Sequence, residues 1–203
     1  MQNKAIAIFG GSFNPPLNSH LELAKQVIEK LNYIEKVIFV PVSTKYDRKS
    51  NLIDDTHRYN MLKIMCNGEE GLEVSDIELK YKRQLYTIET LDIFKNKYPE
   101  YDIYFIMGTD NLKDLHTWKK PERILENYKV IVLERESNKL EDVIKSDELL
   151  KKNKESIIEA KKIKPIKLSS TTIRDKIKNG EKVEEFFKKE VLEYINKNGL
   201  YKL

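Results

Sequence analysis

Along this chain, short apolar runs alternate with segments in which apolar residues recur at helical spacing. Residues 5–9 form the first such run, and Leu21, Ala24 and Ile28 then fall on one face of a helix. Strands that alternate with helices usually pair in parallel, because each helix carries the chain back to the starting edge of the sheet. The pattern therefore predicts an α/β fold: a doubly wound, mostly parallel sheet with helices on both faces.

The same periodicity gives approximate bounds for the elements. The predicted strands are residues 5–9, 36–41, 72–77, 103–107, 130–133 and 166–168. One helix is predicted after a cap at Asp54 or Thr56, and two more at residues 87–97 and near 122–127. A further helix is predicted from the serines and threonines at 169–172 to Asn179, and a last one at about 184–198, where Gly199 ends it. Residues 139–162, rich in lysine and glutamate, predict a weakly amphipathic helical segment.

Length and composition limit the class of protein. The 203 residues, 40% of them hydrophobic, fit one domain, with a core at residues 1–168 and a C-terminal helical part at 169–203. No apolar stretch approaches the roughly 20 residues that span a bilayer. The single cysteine, Cys66, excludes an intrachain disulfide framework and fits a buried position. We therefore expect a soluble cytoplasmic protein without a membrane partner.

The charge of the chain does not indicate nucleic acid as a partner. Thirty-seven basic residues exceed 33 acidic ones, for a formal net charge of +4. Nearly all the basic residues are lysines, and their runs lack the interleaved aromatic residues typical of nucleic-acid binding. Arginines are scarce, so each of them is more informative than a lysine.

Four loops follow predicted strands, where ligands of open parallel sheets bind. They are residues 10–20, 41–48, 108–118 and 169–174. In the first loop, Gly10 and Gly11 directly follow a buried strand, and His20 falls at or near the first turn of the next helix. Backbone N–H groups at such a turn favour an anion. The alternative is a tight turn in which His20 only caps the helix.

The last of these loops predicts a second anion site. Ser169, Ser170 and Thr171 are suited to a helix N-terminus, and Arg174 falls in the first turn. An arginine at the positive end of a helix dipole is unfavourable unless an anion is present to receive it. A plain N-cap with a surface arginine is the alternative. Together the two loops indicate a nucleoside triphosphate held between them.

At these residues the chain resembles the nicotinate-nucleotide adenylyltransferases, nucleotidyltransferases marked by a His-x-Gly-His-type loop. Residues 10–20 match that loop, and residues 168–174 (LSSTTIR) match the second motif of the superfamily. More specific to the family are YTIETL at 86–91, FIMGTD at 105–110 followed by Trp118, and the ending at 191–201. The resemblance covers residues 6–201, nearly the whole chain.

The resemblance implies a Rossmann-like fold and transfer of the adenylyl group of ATP to nicotinate mononucleotide, with release of pyrophosphate. The implied catalytic residues are His20, Lys45 and Arg174. The implied ATP-binding residues are Gly10, Gly11, Ser12, Phe13, His20, Gly108, Asp110, Ser169, Ser170, Thr171 and Arg174. The implied residues for nicotinate mononucleotide are Ser12, Phe13, Thr87 and Trp118. Mg²⁺ is expected to arrive with ATP, without a metal site made only of protein.

Three positions of the first loop depart from the pattern of the family. Leu17 and Ser19 replace its first histidine and its glycine, and Asn14 stands where many bacterial relatives have aspartate. Leu17 cannot donate a hydrogen bond, so one phosphate contact is expected to be lost or moved. A transferase with another acceptor, nicotinamide mononucleotide first among them, and a non-catalytic nucleotide-binding module remain as alternatives. The sequence leaves the oligomeric state undefined and is compatible with a homo-oligomer.

Overall fold

A computed structural model of the protein describes residues 4–45, 51–134, 139–160, 163 and 169–202. Its described residues form a six-stranded sheet in the order β3-β2-β1-β4-β5-β6, with every neighbouring pair parallel. The strands are β1 (Ala5–Gly11), β2 (Ile34–Pro41), β3 (Leu72–Val74), β4 (Asp102–Gly108), β5 (Lys129–Leu133) and β6 (Ile157–Glu159). The predicted doubly wound parallel sheet is confirmed, with the strand order reversing between β1 and β4.

Helices cover both faces of the sheet. In the described ranges they are α1 (Asn18–Lys30), α2 (Asp55–Cys66), α3 (Thr87–Lys97), α4 (Thr109–Lys113), α5 (Pro121–Asn127), α6 (Leu140–Lys145), α7 (Glu148–Lys152), α8 (Ser170–Lys178) and α9 (Lys189–Lys197). Predicted and observed bounds agree for α3. The Asp54 carboxylate caps α2 by accepting a hydrogen bond from the Thr56 amide at 2.8 Å.

Alternate strand residues face two separate apolar cores. Ala7 and Phe9 pack with α1, α2, α8 and α9 in what we call the first layer. Ile8 and Phe105 pack with α3 to α7 in the second layer. This alternation follows from the two-residue period of a strand, which sends successive side chains to opposite faces. Cys66 is buried in the first layer as expected, and burial raises the pKa of its thiol to about 12.

Two predicted elements differ from the structure. The alternating residues 72–77 predict a strand, but β3 ends at Val74 and a 3-10 turn occupies Ile77–Lys80. The Ser75 hydroxyl accepts a hydrogen bond from the Ile77 amide at 3.3 Å, which supports the turn. The final helix, predicted from about residue 184, begins at Lys189 after a 3-10 turn at Glu184–Phe186.

The predicted helical segment at residues 139–162 is wrong in its second half. Asp147 accepts hydrogen bonds from the amides of Leu149 and Leu150, so it caps α7 and separates it from α6. Ile157 and Ile158 then lie in β6 and pair with β5. β-Branched residues fit a pleated, half-buried edge better than a helix. The predicted strand at 166–168 lies outside the described residues.

Candidate active site

Two of the predicted ligand loops directly follow β1 and β4, whereas residues 46–48 of the loop predicted at 41–48 lie outside the described residues. These two strands are paired, and the strand order reverses between them. An open parallel sheet has its ligand crevice at such a switch point. Gly10 and Gly11 are the last two residues of β1, so the loop itself begins at Ser12, later than predicted.

The two glycines make room for aromatic rings on opposite faces of the sheet. A Cβ on Gly10 would lie 3.1 Å from the Phe105 ring in the second layer. A Cβ on Gly11 would lie 2.9 Å from the Phe13 ring in the first layer, closer than real Cβ contacts. Larger residues here would displace the rings that shape the crevice.

His20 lies in the first turn of α1, as predicted, and the backbone orients its ring. The Leu17 amide donates to His20 Nδ1 at 3.0 Å, so the neutral imidazole carries its hydrogen on Nε2. The ring also packs edge-on against Phe13, with 5.2 Å between centroids. His20 therefore caps the helix and also holds a donor tautomer.

Leu17 does not face the crevice. Its side chain is 1% exposed and belongs to the apolar core of the first layer. It supports His20 through its backbone: the Leu17 amide donates to the His20 ring, and the Leu17 carbonyl accepts a hydrogen bond from the His20 amide at 2.9 Å. The Leu17 side chain therefore cannot make the ligand contact that a histidine makes at this position of the motif.

The motif at residues 169–174 contacts the first loop directly. The Ser170 hydroxyl donates to the Pro15 carbonyl at 2.9 Å, and Arg174 Nη1 donates to the Asn14 carbonyl at 2.7 Å. Arg174 Nη2 donates to Thr171 Oγ1 at 3.1 Å. The two elements predicted to bind phosphate therefore lie side by side. Ser169 is the N-cap of α8, as its residue type indicated.

Asn14 joins the C-terminal helical part to the first loop. Its Oδ1 accepts a hydrogen bond from the Tyr201 hydroxyl at 2.9 Å, and its Nδ2 donates to the Asn51 carbonyl at 3.0 Å. Burial raises the pKa of the Tyr201 hydroxyl, which keeps it a donor. An aspartate would keep the first contact but could not make the second unless protonated, so the asparagine is suited to both partners.

Arg58 holds several loops together from inside the protein. The side chain is fully buried. Its guanidinium donates to the carbonyls of Ser12 at 2.9 Å, Val42 at 2.6 Å and Ile53 at 3.1 Å, and it pairs with the Asp55 carboxylate. The sequence indicated this residue only weakly, through the scarcity of arginine. Its function depends on which carbonyls the fold brings to it.

One of these bonds orients a predicted phosphate donor. In a planar trans peptide the C=O and N–H groups point in opposite directions. With the Ser12 carbonyl turned toward Arg58, the Phe13 N–H points away from Arg58. Phe13 is buried and has a φ of 43°, in the left-handed region that few non-glycine residues adopt.

A cavity of about 520 Å³ opens on the second-layer side of the crevice. Five of the predicted residues line it: Gly10, Gly11, Ser12, Thr87 and Trp118. The Trp118 ring meets Phe105 edge-on at 6.1 Å between centroids. Gly108 ends β4 and Asp110 follows in the first turn of α4, but neither lines this cavity.

Lys45 contacts the segment that precedes α3. Its ammonium group donates to the Tyr81 carbonyl at 2.7 Å, and its side chain is exposed. Tyr81 lies in the segment that leads into α3 and the cavity. The structure therefore groups His20, Ser170 and Arg174 around the first loop, and Thr87 and Trp118 around the cavity.

Among residues 4–45, 51–134, 139–160, 163 and 169–202, no three histidine, cysteine or acidic side chains cluster to hold a metal ion. In those ranges, too, no helix has the length and apolar character needed to cross a bilayer.

Comparison with known proteins connects this geometry to a family. Residues 8–176 match the family model described as "Cytidylyltransferase-like". A protein of Clostridium tetani named "Probable nicotinate-nucleotide adenylyltransferase" is 36% identical over 201 residues, which cover 98% of this chain and all of the relative. One of the same name from Clostridium botulinum strain Okra is 37% identical over the full length of both.

The chain belongs to the nicotinate-nucleotide adenylyltransferases.

Solved structures agree with this membership. The nicotinic acid mononucleotide adenylyltransferase of Plasmodium falciparum, complexed with NaAD, has a TM-score of 0.78 and 26% identity over 98% of this chain and 97% of its own. A second structure of it, complexed with APC, has a TM-score of 0.75 and 25% identity over the same shares. As a nicotinate-nucleotide adenylyltransferase, this chain is an enzyme with a Rossmann-like fold.

Proposed function

We propose that the enzyme transfers the adenylyl group of ATP to nicotinate mononucleotide, giving nicotinate adenine dinucleotide and pyrophosphate. One observation carries the proposal: the cavity lined by Thr87 and Trp118 opens beside the first loop, which leads into the helix that carries His20 and contacts Arg174. Ser12 belongs to both, because it begins the loop and lines the cavity. The two substrates would meet there.

The reaction needs positioning and charge stabilisation more than proton transfer. An oxygen of the mononucleotide 5′-phosphate attacks the α-phosphorus of ATP, and the bond from that phosphorus to the pyrophosphate oxygen breaks. The attacking oxygen is already anionic, so a general base adds little. The protein must bring two polyanions together and stabilise the charge of the transition state.

The first-layer elements would hold the triphosphate. His20 Nε2–H donates to the α-phosphate, and the amides of Phe13, Ser170 and Thr171 add further donors. A guanidinium has five N–H donors, and among the described residues Asn14 and Thr171 engage only part of that set. Arg174 can therefore bind phosphate without releasing the first loop.

Further residues are proposed to contact adenosine and the outer phosphates of ATP. Gly108, which ends β4, and Asp110, in the first turn of α4, are proposed to contact adenosine. Lys45 would exchange its bond to the Tyr81 carbonyl for a phosphate oxygen. Mg²⁺ would enter bound to the triphosphate, whose oxygens are the ligands that this ion prefers.

The cavity would hold the pyridine ring, stacked on Trp118, with the Thr87 hydroxyl toward its carboxylate.

Replacing Trp118 with alanine should raise the KM for nicotinate mononucleotide about 10- to 100-fold, a loss typical of a removed aromatic contact. The KM for ATP should stay within about twofold. Steady-state kinetics with each substrate varied in turn would measure both, and Trp118→Phe, which keeps a ring, should recover part of the loss. Equal increases for both substrates would mean that Trp118 is structural.

The proposed function is tested by pyrophosphate release with ATP and a set of acceptors. Nicotinate mononucleotide should be the best, and nicotinamide mononucleotide, phosphopantetheine and a buffer blank serve as comparisons. A higher kcat/KM with the amide would overturn the substrate assignment. ATP binding without turnover of any acceptor would contradict the catalytic function.

A further inference from the structure

Glu78 brings a buried carboxyl group to the wall of the cavity. It lies in the turn Ile77–Lys80, is 8% exposed and lines the cavity together with Thr90. The Thr90 hydroxyl donates to Glu78 Oε1 at 2.7 Å. Within the described residues this is the one hydrogen bond of the carboxyl group, so Oε2 has no partner there.

Burial changes how this group holds its proton. It raises the pKa of Glu78 to about 7, because the charged form loses hydration, and the Thr90 hydrogen bond opposes the shift. Near neutral pH the group therefore exchanges between a carboxyl, which can donate a hydrogen bond, and a carboxylate, which can only accept one.

Among the described residues that line this cavity, Glu78 is the acidic side chain that an acceptor meets. The other titratable side chains lining the cavity are Tyr86 and Lys119. Neighbouring charges on the turn, α3 and β2 have partners of their own: Lys80 with Asp76, Glu89 with Arg83, Asp92 with Arg123, Lys95 with two backbone carbonyls, Lys97 with the Tyr98 ring, Glu35 with Lys4, and Lys36 with Glu73. β1 has no ionisable side chain.

We propose that Glu78 is a specificity-determining residue that keeps a proton while the acid acceptor is bound. A neutral carboxyl group then faces the pyridine carboxylate, and two anions do not share one wall of the cavity. The inference rests on the proposed function. The proton comes from solvent when Glu78 is ionised and returns when the product leaves, with no other bond changed. An amide acceptor has no carboxylate and accepts either form of Glu78.

The two acceptors should therefore respond differently to pH. Above about pH 7 the free enzyme loses the Glu78 proton, and binding of the acid must restore it. The Kd for nicotinate mononucleotide should then rise by up to about tenfold per pH unit relative to the Kd for nicotinamide mononucleotide, the limit for one proton. In Glu78→Gln, which keeps a donor without a charge, the ratio should be flat.

Calorimetric titration in two buffers of different ionisation enthalpy would measure the proton directly. At pH 7.5, binding of nicotinate mononucleotide should take up more protons in the wild type than in Glu78→Gln. Protons exchanged by the ligand phosphate are common to both proteins, so subtracting one uptake from the other leaves the contribution of Glu78. Thr90→Val, the matched control, removes the bond that favours the ionised form and should move the profile to higher pH. Equal uptake in wild type and Glu78→Gln, or parallel Kd profiles, would overturn the inference. Absence of adenylation of nicotinate mononucleotide at every pH would contradict the proposed function instead.

Discussion

Replacing His20 with alanine should lower kcat by about 100- to 1000-fold, the loss typical of a donor aimed at developing transition-state charge. The geometry supports this because the Leu17 amide occupies Nδ1 and leaves the hydrogen on Nε2. The substitution also removes a helix cap, so the free energy of unfolding should fall by about 1 kcal/mol. Single-turnover rates and urea denaturation would measure the two effects separately.

Glutamine at the same position separates capping from catalysis. Glutamine at the third helical position accepts a hydrogen bond from the N-cap amide in ordinary capping boxes. His20→Gln should therefore recover most of the stability lost in His20→Ala, while kcat stays low because the imidazole donor is gone. If kcat of His20→Ala remains within about threefold of the wild type, His20 is only a cap.

Replacing Arg58 with methionine should lower the free energy of unfolding by about 3–5 kcal/mol, the usual loss when one partner of a buried ion pair is removed. Asp55 loses its cation, and three loop carbonyls lose their buried donor. Arg123→Met is the matched control, because Arg123 pairs with Asp92 at the surface. Exposed pairs contribute about 1 kcal/mol or less.

Urea denaturation of both variants would test this difference. We also expect Arg58→Met to lower kcat where it remains folded, because the Ser12–Phe13 peptide is no longer held. A loss of stability as small as that of Arg123→Met would mean that water replaces the guanidinium, and the loops do not depend on Arg58.

The parts of the fold that depend on local signals were predictable from the sequence. Residues 87–97 have one apolar face and a capping pattern, so the predicted bounds of α3 agree with the structure. β6 was not predictable, because Ile157–Glu159 becomes a strand only by pairing with β5, whose partner residues lie 27 positions earlier in the chain. The lysines and glutamates around it favour a helix locally, and pairing outweighs that preference.

In the candidate site, too, the residues marked by local signals were predictable and those placed by tertiary packing were not. The rule that ligands bind beyond the carboxyl ends of parallel strands selected the first loop and the motif at 169–174, and the hydrogen bond from Arg174 to Asn14 joins them. The functions of Arg58 and Glu78 could be identified only from the structure. A charged side chain in a sequence usually indicates the surface, and only packing shows that one holds three loops and the other lines a cavity.

The sheet divides the crevice into two sides, so the two sides can change independently as such enzymes diverge. The helices α1 and α8, which carry His20 and Arg174, pack in the first layer, whereas Thr87, Glu78 and Trp118 line the cavity on the second-layer side. Substitutions that reshape the acceptor wall leave the packing behind the triphosphate elements unchanged, since the strands lie between them. A lineage can therefore acquire a new acceptor by mutation in one layer while it continues to use ATP through the other.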